Sequence, residues 1–271
     1  DREGRAVRAG DRLVAVNNEA VDPRRNRESY FRFPKLPEEM SLTFQRGESE
    51  PFTVWVHPDS SHAFLSACYQ RWEEINQERV DRLGDGRIAY IHMRNMGTGA
   101  LERFIREMTT ENYRRQGLIL DLRNNQGGNV HDEVLNFLSR RLYARWKYRG
   151  EEKMSPQPNF APANKPMVML INPQTLSDGE MTAAGFKTLK LGTLVGTETH
   201  RWLIFTSGME LVDGSYFRVP SWGCFTLDGR DLELHGVWPD VEVDLTVKDQ
   251  HLGVDPQLEK AVNIIMKQRN S

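Results

Sequence analysis

From residue 87 onward, short apolar runs alternate with longer segments in which apolar residues recur every three or four positions. The first pattern is typical of buried β-strands and the second of amphipathic helices. Alternating strands and helices predict an α/β fold, in which helices cover both faces of a largely parallel sheet. We predict strands at 87–93, 118–123, 166–172 and 193–197, and helices at 100–115, 130–142 and 177–187.

The segments on either side of this alternation have a different pattern. Before it, near-alternating apolar residues predict a small β-rich module with strands at 11–17, 40–46 and 51–57, followed by a helix at 60–83. After it, we predict short antiparallel strands at 208–227 and 240–245 and a closing helix at 256–267. The predicted organisation is a module at 1–58, a linking helix at 59–84 and a core domain at 85–271.

Length and composition narrow the functional classes. A chain of 271 residues suits one large domain, or a medium domain with a small one. Its net charge of −2 gives no field that would attract nucleic acid. No run approaches the roughly 18 apolar residues of a membrane span, and residues 1–10 lack a signal-peptide core, so we expect a cytoplasmic protein with no membrane partner.

Cysteines, histidines and one basic run complete the composition. Cys68 and Cys224 are interpreted as two buried thiols, and the histidines show no HExxH spacing that would predict a metal site. The basic residues at 140–149 are interleaved with apolar ones, which we interpret as a helix face and its exit. Alternatively, this basic segment lines a substrate channel that favours acidic peptides.

The predicted strand at 166–172 leads into Ser177-Asp178-Gly179-Glu180, for which two interpretations are open. The tetrapeptide matches a capping box, in which Ser177 would only cap a helix. A helix N-terminus also presents free N–H groups and a positive dipole end, which stabilise a developing oxyanion. Ser177 is therefore also a candidate nucleophile, and it would need a base and further oxyanion donors.

A second candidate segment follows the predicted strand at 118–123, where Asn124-Asn125-Gln126 precedes Gly127-Gly128. Two glycines allow positive φ and a close backbone approach, so their N–H groups can face a negative oxygen. A phosphate loop is the rival interpretation, although neither GxGxxG nor GxxxxGK[ST] is present. Ligands of parallel sheets bind beyond the carboxyl ends of strands, where both this loop and Ser177 would lie.

Together these segments resemble the C-terminal part of a tricorn-type protease core, a branch of the C-terminal-processing serine peptidases. Residues 118–129 resemble the oxyanion loop of that family and residues 170–180 its nucleophile segment. The similarity extends to the loop at 194–202, to the closing segments at 231–244 and 255–262, to the first core strand at 86–97, and to the second half of a PDZ module at 9–21.

The resemblance implies a crotonase-like protease core preceded by a partial PDZ-like module. It implies Ser177 as nucleophile, Asp178 as the donor of one oxyanion N–H, and Gly128 or its neighbour Gly127 as the donor of the other. Glu233 falls at the family glutamate that orients the catalytic histidine. The family acts on peptides or unfolded protein as a homo-oligomer, without metal or organic cofactor.

The general base is the missing part of this resemblance. The catalytic histidine of the family lies upstream of the PDZ module, so we expect it upstream of this chain. His131, His200 and His235 are the possible internal substitutes. A Ser-Lys mechanism is disfavoured, because Thr199 is followed by His200-Arg201-Trp202, and a guanidinium with a pKa above ~12 keeps its proton.

Two other functional classes remain open. The missing base and the altered loop after Thr199 favour an inactive pseudoprotease that serves as a peptide-binding scaffold. The same sheet architecture would also suit a crotonase-like acyl-transfer enzyme that binds coenzyme A. Such an enzyme would have no requirement for a serine at position 177.

Overall fold

A computed structural model describes residues 6–35 and 37–269. Residues 1–5, 36 and 270–271, which fall in the predicted 1–58 module and at the end of the predicted core domain, lie outside the described residues. The chain divides into two compact units, one up to Trp72 and one from Glu73 onward. The division falls within the first long helix, α1 (Ser61–Leu83), where the sequence predicts a linking helix.

The first unit contains an antiparallel sheet with the strand order β2-β1-β3-β4. Val16, Tyr30 and Met40 form its small buried core. The three strands predicted from alternating apolar residues are confirmed. The strands are β1 (Arg12–Val16), β2 (Glu19–Ala20), β3 (Met40–Gln45) and β4 (Phe52–Val56).

The second unit is built on a five-stranded parallel sheet with the order β13-β10-β9-β6-β5. The predicted α/β alternation and its parallel sheet are therefore confirmed. The strands are β5 (Ile88–His92), β6 (Gly117–Asp121), β9 (Met167–Ile171), β10 (Thr193–Gly196) and β13 (Val241–Glu242).

Helices cover both faces of this sheet, which explains why β9 is apolar throughout. Met169 and Ile171 face a core shared with four helices on one side. Val168 and Leu170 face the other side, where α1 and the last helix pack. The helices are α2 (Thr98–Thr109), α3 (His131–Leu138), α4 (Asp178–Thr188), α5 (Leu232–His235), α6 (Val247–His251) and α7 (Pro256–Arg269).

The closing helix begins where the sequence places it. Asp255 accepts a hydrogen bond from the N–H of Leu258 at 2.9 Å, and Pro256 occupies the first helical position. An aspartate cap followed by proline is a strong start signal, because proline lacks the N–H that would otherwise be unsatisfied.

Two antiparallel hairpins complete the second unit. The one formed by β11 (Ile204–Glu210) and β12 (Tyr216–Gly223) confirms the predicted antiparallel strands. The other joins β7 (Ala144–Lys147) to β8 (Met154–Gln157).

The hairpin of β7 and β8 corrects the prediction of a helix at 130–142 whose face continues through 140–149. The helix ends at Leu138, and the basic residues lie in an exposed strand and turn. Arg145 and Lys147 alternate with Trp146, and such interleaving has the period of two of a strand. The Leu142 N–H, just before the hairpin, donates to Asn164 Oδ1 in the segment before β9. The start of the hairpin therefore lies near the amino ends of the parallel strands.

Three smaller expectations also need correction. The segment at 240–245 contributes β13, which pairs in parallel with β10 rather than antiparallel. The helix predicted at 100–115 ends at Thr109 and is followed by a short 3₁₀ turn, Glu111–Arg114. Cys224 is buried as expected, but Cys68 is exposed on α1.

In the described part of the chain, no helix is both long and apolar enough to cross a bilayer.

Candidate active site

The candidate residues follow three neighbouring strands of the parallel sheet, β6, β9 and β10. Because parallel strands end at the same edge, the loops after them meet there. The loop after β6 carries Gly127 and Gly128, the loop after β9 leads to Ser177, and the loop after β10 contains residues 197–202. The sheet therefore gathers segments that are about 20 to 50 residues apart in sequence.

Ser177 lies in a strained turn between β9 and α4. Its backbone has φ 53° and ψ −120°, a region that non-glycine residues rarely occupy. Its N–H donates to Glu180 Oε1 at 3.0 Å, which is the glutamate half of the predicted capping box. Such strain persists only where surrounding contacts enforce it, and it is common at functional sites. Ser177 itself is partly exposed.

The glycine loop after β6 is held by the buried side chain of Asn125. Asn125 Oδ1 accepts from the N–H of Gly127 at 2.9 Å, and Nδ2 donates to the Met93 carbonyl at 2.7 Å. The Asn125 carbonyl accepts from the N–H of Leu176 at 3.0 Å. One asparagine thus ties the glycine loop to the exit of β5 and to the residue before Ser177.

Both glycines are required by close contacts. A Cβ on Gly127 would lie 2.7 Å from Ser177 Cβ and 3.3 Å from the Asp178 nitrogen. A Cβ on Gly128 would lie 2.1 Å from the Met96 carbonyl oxygen. The two residues have φ values of 76° and 155°, so any side chain here would be strained as well as crowded.

The structure distinguishes the three candidate oxyanion donors. The N–H of Gly127 is engaged by Asn125. The N–H groups of Gly128 and Asp178 donate to no acceptor in the described part of the chain. Since Gly127 adjoins the Asp178 nitrogen, these two unused donors lie on either side of the contact between the glycine loop and the start of α4.

The side chain of Asp178 has a role that the sequence did not indicate. It is 1% exposed, and its Oδ2 accepts from the N–H groups of Val130 at 2.8 Å and His131 at 3.2 Å. Its Oδ1 contacts the His131 ring at Nδ1. Asp178 therefore caps α3 from a distant position, which compensates for a valine at the helix's own N-cap.

In the described part of the chain, none of the possible internal bases forms a hydrogen bond with the side chain of the candidate nucleophile. The His131 ring is bound to Asp178, and the His200 Nδ1 lies 2.8 Å from the Pro173 carbonyl oxygen. His235 is exposed at the end of α5. Within residues 6–35 and 37–269, no histidine ring forms a hydrogen bond with Ser177 Oγ.

Glu233 lies on α5, a four-residue helix capped by Asp231, whose Oδ1 accepts from the Glu233 N–H at 2.9 Å. Its carboxylate forms no hydrogen bond or ion pair with any described residue. The segment after α5 is joined to the loop after β10, because Thr199 and Val237 exchange two hydrogen bonds of 3.2 and 2.9 Å.

A buried ionic network holds the exit of β6, just before the glycine loop. Arg123 Nη2 pairs with Asp121 Oδ2 at 2.6 Å, and its Nη1 pairs with Asp255 Oδ2 at 2.8 Å. Burial alone would raise the pKa of Asp121, but the charge and hydrogen bonds of Arg123 lower it below its usual range. The tyrosine hydroxyl of Tyr90 donates to the same carboxylate at 2.9 Å.

An open cavity of about 690 Å³ lies beside the turn that carries Ser177. It is lined by residues that follow β9, β10, α5 and β13, including Gln174, Thr199, Arg201, Trp238 and Asp244. No group of three or more His, Cys, Asp or Glu side chains in the described ranges could hold a metal ion.

Comparison with known proteins places this geometry in a family. Residues 87–243 match the model of peptidase family S41. The chain belongs to peptidase family S41. The matched residues contain Ser177, the glycine loop and Glu233, together with all five strands of the parallel sheet.

Several individual relatives are tricorn proteases or their homologues. The chain is 35% identical over 201 residues to "Tricorn protease" of Thermoplasma volcanium, which covers 73% of this chain and 19% of that protein. It is 32% identical over 267 residues to "Tricorn protease homolog 1" of Streptomyces coelicolor, covering 97% and 24%. The crystal structure of the tricorn protease superposes with a TM-score of 0.79 at 25% identity, over 96% of this chain and 25% of that one.

These figures confirm the resemblance to tricorn-type peptidases and a mixed α/β fold similar to theirs. The chain spans only about a fifth to a quarter of the length of these relatives.

Proposed function

We propose that this S41 chain is the core of a serine endopeptidase, which cleaves peptides or unfolded polypeptide by acyl transfer through Ser177. One observation carries the proposal. Ser177 lies in a strained turn at the start of α4 and against the glycine loop, and the N–H groups of Asp178 and Gly128 have no acceptor in the described residues. A nucleophile beside unused donors is what stabilisation of a tetrahedral intermediate requires.

The reaction follows from these positions. Ser177 Oγ attacks the carbonyl carbon of the scissile peptide bond, and its proton passes to a histidine. The N–H groups of Asp178 and Gly128 stabilise the oxyanion, and the protonated histidine then gives its proton to the leaving amine. Water attacks the acyl-enzyme with the histidine again as base, which releases the acid and restores the Ser177 hydroxyl.

Gly127 and Glu233 support this reaction in different ways. Because the Gly127 N–H is engaged by Asn125, we assign the second oxyanion donor to Gly128, and Gly127 serves to bring the loop close to Ser177. The Glu233 carboxylate would orient the histidine, which we place upstream of this chain.

The resemblance to the tricorn proteases supplies the wider proposals. Residues 1–58 would be a partial PDZ-like module, 59–84 a linking helix and 85–271 a crotonase-like core. The protein would be a cytoplasmic homo-oligomer that acts without a cofactor. Because the chain spans only about a fifth to a quarter of these relatives, the proposals for its substrates and its assembly rest on the similarity alone.

A catalytically inactive scaffold is the second candidate function. It is favoured by the lack of any hydrogen bond between Ser177 Oγ and a histidine of the described chain. Such a protein would bind peptides at the same edge of the sheet without cleaving them.

Labelling of the complete protein with a fluorophosphonate separates the two functions. We expect covalent labelling at Ser177 that is lost in Ser177→Ala and retained in Ser139→Ala, another partly exposed serine near a helix end. A folded wild-type protein that is not labelled would contradict the peptidase proposal and support the scaffold. Measurable coenzyme A binding, together with labelling that does not depend on Ser177, would instead favour an acyl-transfer enzyme.

A further inference from the structure

The carboxylate of Glu180 lies three residues beyond Ser177 and is fully buried, with 0% exposure. A capping box accounts for one of its hydrogen bonds, from the Ser177 N–H. Three further donors come from the loop after β10, which is about 20 residues away in sequence. They are the N–H of Trp202 at 2.8 Å, the N–H of Arg201 at 2.9 Å and the Thr199 hydroxyl at 2.5 Å.

These donors divide evenly between the two carboxylate oxygens. Oε1 accepts from Ser177 and Trp202, and Oε2 accepts from Arg201 and Thr199. Because the backbone nitrogens of Ser177 and Trp202 both lie within hydrogen-bond distance of Oε1, they are close to each other. The loop after β10 is therefore fixed directly against the turn that carries Ser177.

No cation neutralises Glu180 in the described residues. The guanidinium of Arg201 pairs instead with Glu198, at 2.9 and 2.6 Å. A buried carboxylate is costly unless it is hydrogen-bonded, and four donors nearly fill its accepting capacity. Displacing either segment would therefore leave a buried charge under-satisfied.

Both segments that Glu180 holds have strained backbones. Ser177 has φ 53° and Arg201 has φ 67°, and each donates its N–H to Glu180. Left-handed conformations of non-glycine residues persist when surrounding contacts enforce them. Glu180 supplies such a contact to both residues.

A third segment is connected through Thr199. Its hydroxyl donates to Glu180 and accepts from the N–H of Val237 at 2.9 Å. Val237 follows α5, the helix that carries Glu233. One side chain thus links the turn of Ser177, the loop after β10 and, through Thr199, the segment of Glu233.

We propose that Glu180 is a positioning residue, which holds Ser177 in its reactive geometry relative to the loop after β10 and to Glu233. The inference rests on the proposed peptidase function and extends it to a residue that does not touch substrate. Its physical basis is that small displacements of a nucleophile cost large factors in rate.

The most direct test compares Thr199→Val with Thr199→Ser in the complete protein. Valine matches threonine in shape but removes the hydroxyl, whereas serine retains it. Thr199→Val removes the bonds of the hydroxyl to Glu180 and to the Val237 N–H. We expect it to slow fluorophosphonate labelling of Ser177 and to lower kcat on a peptide by roughly five- to tenfold. The KM should change less than kcat, and Thr199→Ser should restore the rate.

Thr43→Val is the matched control, because it removes a hydroxyl that is bonded to Thr53 in the first unit at 3.0 Å. It should leave the labelling rate unchanged. If Thr199→Val is labelled at the wild-type rate, or if Thr199→Ser does not restore a lost rate, the positioning role is wrong.

Glu180→Gln perturbs the acceptor itself. The amide NH₂ replaces one oxygen and faces two donors, so we expect the rate of Ser177 labelling to fall about 10- to 100-fold. Because this variant could fold poorly, amide hydrogen exchange gives a readout that does not depend on activity. The amides of Arg201 and Trp202 should exchange faster in both Glu180→Gln and Thr199→Val, and remain as protected as in wild type in Thr43→Val.

The two measurements separate failure of this inference from failure of the peptidase proposal. If Arg201 and Trp202 exchange faster in Glu180→Gln but Ser177 of the wild-type protein is never labelled, the structural link is retained and the peptidase proposal is rejected, and with it the positioning role. Unchanged exchange in Glu180→Gln would overturn the inference even if Ser177 is reactive.

Discussion

At Gly128 the surrounding backbone leaves no space for a side chain. Its position is fixed by the Met96 carbonyl, which a Cβ would approach to 2.1 Å. Backbone atoms cannot yield to such a contact, so a side chain would move the loop and its N–H. The same N–H is the donor that we assign to the oxyanion.

We therefore expect Gly128→Ala to reduce kcat on a peptide substrate by about 100- to 1000-fold, the usual effect of losing one oxyanion donor. The control is Gly99→Ala in α2, where an added Cβ meets nothing within 4 Å. That substitution should leave the rate unchanged and stabilise the helix slightly. Wild-type activity in Gly128→Ala would exclude this N–H as a donor.

Asp178 has two roles, because its carboxylate caps α3 and its N–H is the group that we propose as an oxyanion donor. Asp178→Ala should lower the free energy of unfolding by about 2 kcal/mol, because the buried N–H of Val130 and the partly buried N–H of His131 lose their acceptor. Urea denaturation measures this change. Asp132→Ala, in the same turn of α3 but with a side chain 81% exposed, should change stability by less than about 0.5 kcal/mol, and equal effects would contradict the capping role.

Among the elements, α5 is too short to be stable alone. A helix of four residues depends on its cap and its tertiary contacts. Asp231 provides the cap, through a hydrogen bond to the very residue, Glu233, that we expect to orient the histidine. The orientation of Glu233 should therefore depend on Asp231.

Asp231→Ala should lower kcat several-fold while reducing the free energy of unfolding by about 1 kcal/mol. The matched control is Thr246→Ala, which removes the cap of α6, where Thr246 accepts from the Asp249 N–H at 3.1 Å. Both variants should lose similar stability in thermal unfolding, but only Asp231→Ala should lose activity. A similar loss of activity in both would mean that the effect is general destabilisation.

Two elements show where local patterns fail to predict structure. The mixture of basic and apolar side chains at 140–149 predicts a helix face and its exit, yet residues 144–147 of this segment form β7. Residues 241–242 were expected in an antiparallel strand, yet they add to the edge of the parallel sheet. Strand direction depends on which neighbour a segment meets, and neither segment carries that information locally.

In the molecule as a whole, a buried polar network connects β5, β6 and α7 beneath the site. His92 is part of its surroundings, with Nδ1 4.0 Å from Asp121 and Nε2 4.0 Å from Glu73. Burial lowers the pKa of His92 to about 4, although Asp121 opposes this effect. The folded protein therefore keeps His92 neutral at a pH where an unfolded chain would protonate it.

This difference predicts a pH dependence of stability. Between pH 6.5 and about 4 the unfolded state binds the additional proton, so the His92 contribution is fully present above pH 6.5 and is lost as the pH falls. The free energy of unfolding should decrease by up to roughly 3 kcal/mol over this range. Urea denaturation at several pH values should show that the free energy of unfolding depends less on pH in His92→Asn than in the exposed control His251→Gln. Identical pH dependence in the two variants would contradict the role of His92.

The site was partly predictable for identifiable reasons. The apolar run of β9, the SDGE start of α4 and the Gly-Gly pair are signals within a few residues, and they placed Ser177, Asp178 and Gly128 correctly on their elements. The sequence did not indicate that the Asn125 side chain accepts a hydrogen bond from the Gly127 N–H, or that Asp178 caps α3. Those contacts join residues whose separation in the chain says nothing about their separation in space.

By itself, the sequence determined the alternation of strands and helices and the positions of the candidate nucleophile and glycine loop, because apolar periodicity and helix capping act over three or four residues. The tertiary structure decided which N–H groups remain unused, and that Glu180 bonds Thr199, Arg201 and Trp202. These choices depend on the order of the strands in the sheet, which brings the ends of β6, β9 and β10 to one edge.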